Sequence, residues 1–461
     1  MSTSSFDLVV IGSGPGGYRA AVLAAARGMS TAIVEKDAWG GACLNRGCVP
    51  KKAWYQTARL LGAARHFAGR GVSGALVPDL AGAWRRQREI VQAVRASYTD
   101  YLERLGVRRR EGVARFIAAD RIDVNGEILI AGNVVVASGS RPRLPRALAS
   151  SPRVLTTDDL FEKPLPNGRR VALIGSGAVG VEMAYILSAL GLEIVWLTGR
   201  EPLPEARYSQ PGRSRLREAL AVHGVAPRTR SRPTGCFEHG GGLELRLPDG
   251  TERVDWLLAG TGRVPNTVGL GLEAAGVELT RDGFVRVDGA QRTSNARVFA
   301  IGDCANPAMT ANHALAEASI ALAEIARPGA ARPPRAWVPE VLYSALELAR
   351  VGETEDELEE AGREYAVGFS AFAANPAALG EGDAGGYVRL LVDAGDGALL
   401  GCEIAGPQAG ELVHLAQPGS GGESLLARLG RERFNHPSRA EELLNAAEGL
   451  VGRWGLDAGA E

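Results

Sequence analysis

The chain has 461 residues, 45% of them hydrophobic, with 52 Lys and Arg against 53 Asp and Glu and a formal net charge of -1. That balance excludes the electrostatic footprint of a nucleic-acid or membrane-surface binder and leaves small molecules or proteins as expected partners. The length calls for about three domains, each able to bury a core.

No apolar run approaches the roughly 18 residues a membrane span needs. Met1 to Phe6 leads straight into an apolar strand with no basic-then-apolar leader, so a cytoplasmic location is expected. The strand, Asp7 to Ile11, is followed by Gly12-Ser13-Gly14-Pro15-Gly16-Gly17 and a good helix former, Tyr18 to Arg27. Strand, glycine turn and helix together bring a pyrophosphate against backbone N–H groups at a helix N-terminus. A second strand, Thr31 to Glu35, ends in an acid 23 residues past Gly12, placed to accept hydrogen bonds from a ribose diol.

Directly after this unit come Cys43 and Cys48, within Gly40-Gly41-Ala42-Cys43-Leu44-Asn45-Arg46-Gly47-Cys48-Val49-Pro50-Lys51-Lys52. Two thiols this close can form a small disulfide built to be opened; the competing reading is a pair of buried core thiols. Cys236, Cys304 and Cys402 are scattered, with no zinc or disulfide framework, so in a reducing cytosol a Cys43–Cys48 bridge would be catalytic. Lys51 or Lys52 can lower a thiolate pKa at Cys48 or, alternatively, form a solvated helix start. A long helix is expected over 81–105.

The nucleotide pattern recurs. Arg170 to Ile174 reads as a strand, Gly175-Ser176-Gly177-Ala178-Val179-Gly180 as the turn and Val181 to Leu190 as a helix, so two dinucleotides are expected to bind. The next strand, Glu193 onward, ends in Thr198 where an acid would grip the ribose of NAD, and Arg200 nearby can meet a 2′-phosphate. Gly180 favours NAD, the missing acid favours NADP, and the reading leans to NAD with NADP left open. Pro202 to Pro211 and Arg327 to Pro339 read as joints, and Glu353 to Glu360 as a solvated acidic helix face. Strand-like pieces at Gly386 to Val392 and Leu399 to Ile404 precede helices, which fits an α+β interface domain. A thiol nucleophile needs a base of pKa near 7, and His436 with Glu441 five residues on can supply an imidazole oriented by a carboxylate; the competing reading of His436 taken alone is a surface or capping residue.

With paired nucleotide units around C-x4-C, the chain resembles the pyridine nucleotide-disulfide oxidoreductases over nearly its whole length. Val134 to Pro142 and Gly260 to Thr267 look like the two segments where the chain crosses between domains. Thr293 to Asp303 is similar to the family's second FAD motif, and Asn435 to Glu441 to its His-Pro-Thr-x-x-Glu motif, with Ser438 for Thr. The resemblance implies an α/β fold of two Rossmann-like FAD and NAD(P) domains plus a C-terminal α+β dimerisation domain. The expected boundaries are 1–147 and 269–335 for the FAD domain, 148–268 for the NAD(P) domain and 336–461 for the interface domain. FAD would meet Gly12, Gly14, Gly17, Glu35, Gly41, Lys52, Gly112 to Ala114, Ser138, Gly139, Asp303, Met309, Ala311 and Asn312. The nicotinamide dinucleotide would meet Gly175, Gly177, Gly180, Thr198, Arg200 and Gly262. By the same resemblance, Cys43 is the interchange thiol and Cys48 the charge-transfer thiol against the flavin. The partner subunit's His436, oriented by Glu441, faces Cys43, and Glu182 pairs with Lys51 or Lys52 in a homodimer.

Within the family, Gly14 to Tyr18 and Ala405 to Glu411 are more like the dihydrolipoamide-oxidising members, and Val22 and Leu23 lack the arginines of glutathione-reducing ones. The chain also ends without the cysteine pair of the mercury-reducing members. The expected function is oxidation of protein-bound or free dihydrolipoamide with NAD as acceptor; the alternative is an NADPH-dependent reductase of a small or protein disulfide. Arg46 between the cysteines, Asn435 before His436 and the missing proline in Tyr343 to Gly352 depart from the usual pattern. They point to a specialised lipoyl-bearing carrier protein as partner.

Overall fold

Leu8, Val9, Val10 and Ile11 are all buried, and so is every residue of Thr31–Glu35, the signature of parallel strands covered on both faces. The computed structural model describes residues 2–148, 151–203, 207–329, 337–416 and 434–454, so parts of both expected joints and the end of the chain lie outside the described residues. Two compact units emerge: residues 1–54, 81–166 and 261–336 form one, and residues 55–80, 167–260 and 337–461 the other.

The first unit is built on a seven-stranded sheet. Arg108–Glu111, Thr31–Glu35, Thr3–Ile11 and Glu127–Val136 lie side by side in parallel. The far edge of Glu127–Val136 is shared. Its first half takes Arg121–Val124 antiparallel, and its second half takes Val298–Ala300 in parallel. Helix Pro15–Ala25 and helix Ala311–Ala326 bury Ala20, Ala21, Ala24, Ala318, Ala321 and Leu322 with the sheet's Leu8, Val10 and Phe299. The expected long helix is Leu80–Arg104. The two crossing segments meet: Ser140–Pro142 pairs antiparallel with Arg263–Pro265.

In the second unit, Pro227–Arg228, Glu193–Leu197, Arg170–Ile174 and Trp256–Ala259 form a parallel run. Residues 235–254 make a three-stranded meander. The C-terminal part is a five-stranded antiparallel sheet in which Glu347–Gly352, Leu399–Ala405, Tyr387–Asp393 and Tyr365–Ala371 follow one another. Helix Glu441–Trp454 sets Leu443, Ala446, Ala447 and Leu450 in one core with Ala366, Val388 and Ile404.

Two expectations shift. The helices of the nucleotide units begin at Pro15 and Ala178 rather than Tyr18 and Val181, because Gly14 and Gly177 already act as N-caps and the later turn glycines sit inside the helix. The acidic run is only partly a solvated face. Thr354 and Glu357 form a capping box, Glu355 binds Arg389 through both oxygens, and Leu358 is fully buried.

A Cβ at Gly17 would overlap the carbonyl oxygen of Gly12, whereas one at Gly14 would meet nothing within 4 Å. Gly17→Ala is therefore expected to lose about 1–3 kcal/mol through overpacking, and Gly14→Ala less. Urea unfolding of the two variants side by side checks this, and equal losses would refute it.

Candidate active site

The glycine turn of the first unit is organised by one carboxylate. Glu35, 7% exposed, accepts from Ser13 N (2.9 Å) and Ser13 Oγ (2.6 Å) on one oxygen, and from Lys36 N (2.9 Å) and Asp37 N (3.0 Å) on the other. Gly112 N caps the strand by donating to Glu35 O (2.8 Å). Ser13 Oγ in turn accepts from Gly40 N (2.9 Å). The role of Ser13 is absent from the sequence reading, although a hydroxyl between the turn glycines with an acid 22 residues later is the signal for it.

The residues present fit a dinucleotide. Helix Pro15–Ala25 has neither a side-chain cap nor an acid in its first turn, so its leading N–H groups are open to an anion. Gly41 adopts φ +62° and comes so close to the turn that a Cβ would stand 2.8 Å from Gly14 Cα. The second unit repeats the arrangement. Helix Ala178–Ala189 is likewise uncapped, a Cβ at Gly177 would meet open space, and a Cβ at Gly180 would overlap the Gly175 carbonyl, which accepts Trp196 Nε1–H at 2.8 Å. Glu35 has no counterpart there. Thr198 is buried and points its hydroxyl at Arg228 O (3.5 Å), and Arg200 is exposed.

The crossing segments form a second polar knot in the first unit. Ser138 Oγ donates to Asn266 O (2.7 Å), Asn266 N donates to Gly139 O (2.9 Å), and the Gly262 carbonyl accepts from Arg143 N (2.9 Å). Asp303 accepts from Ser140 Oγ (2.5 Å), which Arg263 Nε also contacts at 2.7 Å, and Arg263 is held by Asp158 at 3.1 Å. Met309, at φ +48°, leads into helix Ala311–Ala326, which Thr310 caps. Gly112 and Ala114 flank the turn into strand Ala114–Ala118, with Gly112 at φ +151°.

Cys43 and Cys48 are joined by a disulfide. Cys43 lies in the short helix Gly41–Arg46 and Cys48 is the first residue of helix Cys48–Ala63, with Cys43 half-buried and Cys48 exposed. Asn45 anchors this turn, donating to Trp39 O (3.0 Å) and Gly41 O (2.8 Å) and accepting from Arg95. Lys51 and Lys52, three and four residues into the helix, share a face with Cys48. Arg46 binds Asp37 and, at 2.7 Å, Glu162. Burial opposes its charge, but these two carboxylates outweigh that and raise its pKa. The residue thus has a structural reason to stand between the cysteines, which competes with the expectation that it serves a specialised partner. The other sulfurs differ: Cys304 is buried, with its thiol pushed up to about 11, and burial raises Cys402 as well.

In the second unit His436 Nδ1 and Glu441 lie 2.8 Å apart, and Ser438 N donates to the other carboxylate oxygen at 2.7 Å. These two bonds, His436 first, hold Glu441 below its ordinary pKa. An ionised carboxylate only accepts, so the proton sits on Nδ1 and Nε2 is left as the basic nitrogen. Asn375 fixes the loop from behind, with its amide nitrogen 2.8 Å from both Ser438 O and Glu442. Glu182 is buried and accepts from Tyr343 N at 3.0 Å.

The family described as pyridine nucleotide-disulphide oxidoreductase matches residues 6–318, and its dimerisation domain matches residues 338–447. The chain belongs to this family. Dihydrolipoyl dehydrogenase of Thermus scotoductus is 35% identical, covering 97% of each chain, and dihydrolipoyl dehydrogenase 3 of Pseudomonas aeruginosa is 32% identical over 97% of this chain and 98% of its own. Among solved structures, LpdA from Mycobacterium tuberculosis superposes with a TM-score of 0.89 at 25% identity, covering 98% of this chain and all of that one. The flavoprotein disulfide reductase RclA of Escherichia coli, at 23% identity and a TM-score of 0.84, shares the fold. This pyridine nucleotide-disulphide oxidoreductase is an enzyme, and its dimerisation domain makes it a homodimer. No helix among the described residues is long and apolar enough to cross a membrane.

The placement of the five cysteines predicts the thiol count. In native protein a disulfide-exchange reagent should react at most with Cys236, and mild reduction should add Cys43 and Cys48 while Cys304 and Cys402 stay silent. Peptide mapping of the labelled cysteines checks this; early labelling of Cys304 would overturn it.

Proposed function

We propose that this enzyme oxidises dihydrolipoamide carried on a lipoyl-bearing protein in the cytoplasm and passes the electrons to NAD. The observation that carries the reading is the Cys43–Cys48 disulfide at the start of a helix, in a chain about a third identical to dihydrolipoyl dehydrogenases. We assign FAD to the first unit, against Gly12, Gly14, Gly17, Glu35, Gly41, Ser138, Gly139 and Asp303, and the nicotinamide dinucleotide to the turn at Gly175, Gly177 and Gly180. FAD, when bound, supplies the two-electron chemistry that links a dithiol to a nicotinamide. The domain limits proposed are 1–147 with 269–335, 148–268, and 336–461.

The protein's own part in the chemistry is sulfur exchange. A substrate thiolate forms a bond to Cys43 Sγ as the Cys43–Cys48 bond breaks, and Cys48 leaves as a thiolate. A helix N-terminus and the charges of Lys51 and Lys52 favour that thiolate, with Glu182 as the proposed counter-ion of the lysines. The partner subunit's His436 takes the proton from the second substrate thiol through Nε2, while Glu441 holds Nδ1–H and stabilises the imidazolium. The second sulfur then displaces Cys43 Sγ, which takes the proton back from the imidazolium, giving the cyclic disulfide product, the Cys43 thiol and the Cys48 thiolate.

Cys43→Ser and Cys48→Ser are each expected to abolish dihydrolipoamide-dependent formation of NADH. His436→Gln should lower it by about 10²–10⁴-fold, the usual share of a general base. Steady-state assays on purified, flavin-loaded variants check both, and wild-type turnover in Cys48→Ser would sink the reading.

A further inference from the structure

The loop that carries His436 is held at two points by one short helix. Asn375 caps helix Pro376–Glu381 by accepting from Ala378 N (3.0 Å), and its amide nitrogen reaches Ser438 O and Glu442 at 2.8 Å each. At the other end of the same helix, Glu381 meets Arg439 Nη1 at 3.0 Å. His436 itself stands open to solvent, with 74% of its side chain exposed, and its imidazole is held by Glu441. Where the base sits therefore depends on where the backbone of 436–441 is fixed.

Arg439 fixes that backbone at a loss of stability. Its side chain is 2% exposed, and Nε and Nη2 are buried with no hydrogen-bond partner among the described residues. Ser438 Oγ, one residue earlier, is buried and unpartnered in the same way. Phe372, whose ring centre lies 5.9 Å from the guanidinium carbon, offers only a π face and belongs to the apolar core that also holds Ala378 and Leu443. Unpaired polar atoms in such a place destabilise the fold, and a buried ion pair is a poor stabiliser besides, since a well-packed apolar side chain of similar volume does as well or better. What the charge adds over apolar packing is direction. The ion pair joins two particular atoms at a set distance and angle, whereas apolar contact lets a loop slide.

We infer that Arg439 is a positioning residue for the reaction: its ion pair with Glu381, working with Asn375, sets the loop so that His436 presents Nε2 to substrate, and stability is given up for that placement. The inference rests on the reading of His436 as the base. Neither Arg439 nor Glu381 is marked by a motif, and only the fold brings them together.

The test sets turnover against stability in the flavin-loaded dimer. Arg439→Met removes the buried charge and its unpartnered groups, so its melting temperature should equal or exceed that of the unmodified protein. Glu381→Ala, at a half-exposed position, leaves the buried guanidinium without its carboxylate and should melt lower. Both should nevertheless lower kcat for dihydrolipoamide oxidation by about tenfold to a hundredfold with KM unchanged, the effect of a misplaced catalytic group. The double variant should be no slower than either single one. Arg439→Lys keeps one charged donor for Glu381 without the two unpartnered nitrogens, and should hold turnover to within about threefold of the unmodified enzyme.

Unchanged kcat in Arg439→Met would overturn the inference, as would its failure to fold, or activity that falls only in step with melting temperature across the variants. Equal losses in Arg439→Lys and Arg439→Met would do the same. Full turnover in His436→Gln would remove the reading of the base and the inference with it, an outcome that none of the Arg439 or Glu381 variants can produce.

Discussion

Much of the first unit depends on a single buried charge. Glu35 is nearly removed from water and is tolerated there because four donors converge on its two oxygens. One of them, Ser13, is also the acceptor for Gly40 N, and Gly40 precedes the helix that carries Cys43. The chain of contacts Glu35, Ser13, Gly40, Cys43 thus registers the nucleotide turn and the redox turn against each other. Neither can shift alone without leaving a buried polar group unpaired, which costs about 1–3 kcal/mol.

The two nucleotide units illustrate how one backbone device serves two recognition tasks. Both bring a helix so close to the preceding strand that the last turn glycine has no room for a methyl group, and both leave the helix N-terminus open. They diverge only where the second strand stops. In the first unit the strand ends in a carboxylate locked by backbone N–H groups, and in the second in a threonine turned inward to the Arg228 carbonyl. The shared geometry leaves both turns open to an anion, and the difference between the units lies at the strand ends.

Those shared features were legible in the sequence because they are local. Glycine spacing, the acid after Thr31 to Val34 and the C-x4-C turn all lie within a few dozen residues, and each maps onto the structure where spacing put it. His436 and Glu441 were legible for the same reason, since five residues around a proline suffice to join them. Contacts between distant stretches were not. Ser140 reaches Asp303 across 163 residues, and Arg46 reaches Glu162 across 116. Arg46 read as a departure that points to a specialised partner because nothing nearby in the chain names Glu162. The acidic run 353–360 misled in a milder way, since its period hides one core leucine and one carboxylate already engaged by Arg389.

The open helix ends have a thermodynamic side. At Pro15–Ala25 and Ala178–Ala189 the leading N–H groups have no side-chain acceptor, and water is their only alternative to a phosphate. A dinucleotide that meets them binds the folded chain and not the unfolded one, so by mass action it adds about 4 kcal/mol of stability at a thousandfold excess over its Kd. Nucleotide supply thereby bears on how much of the chain stays folded as well as on how fast it turns over.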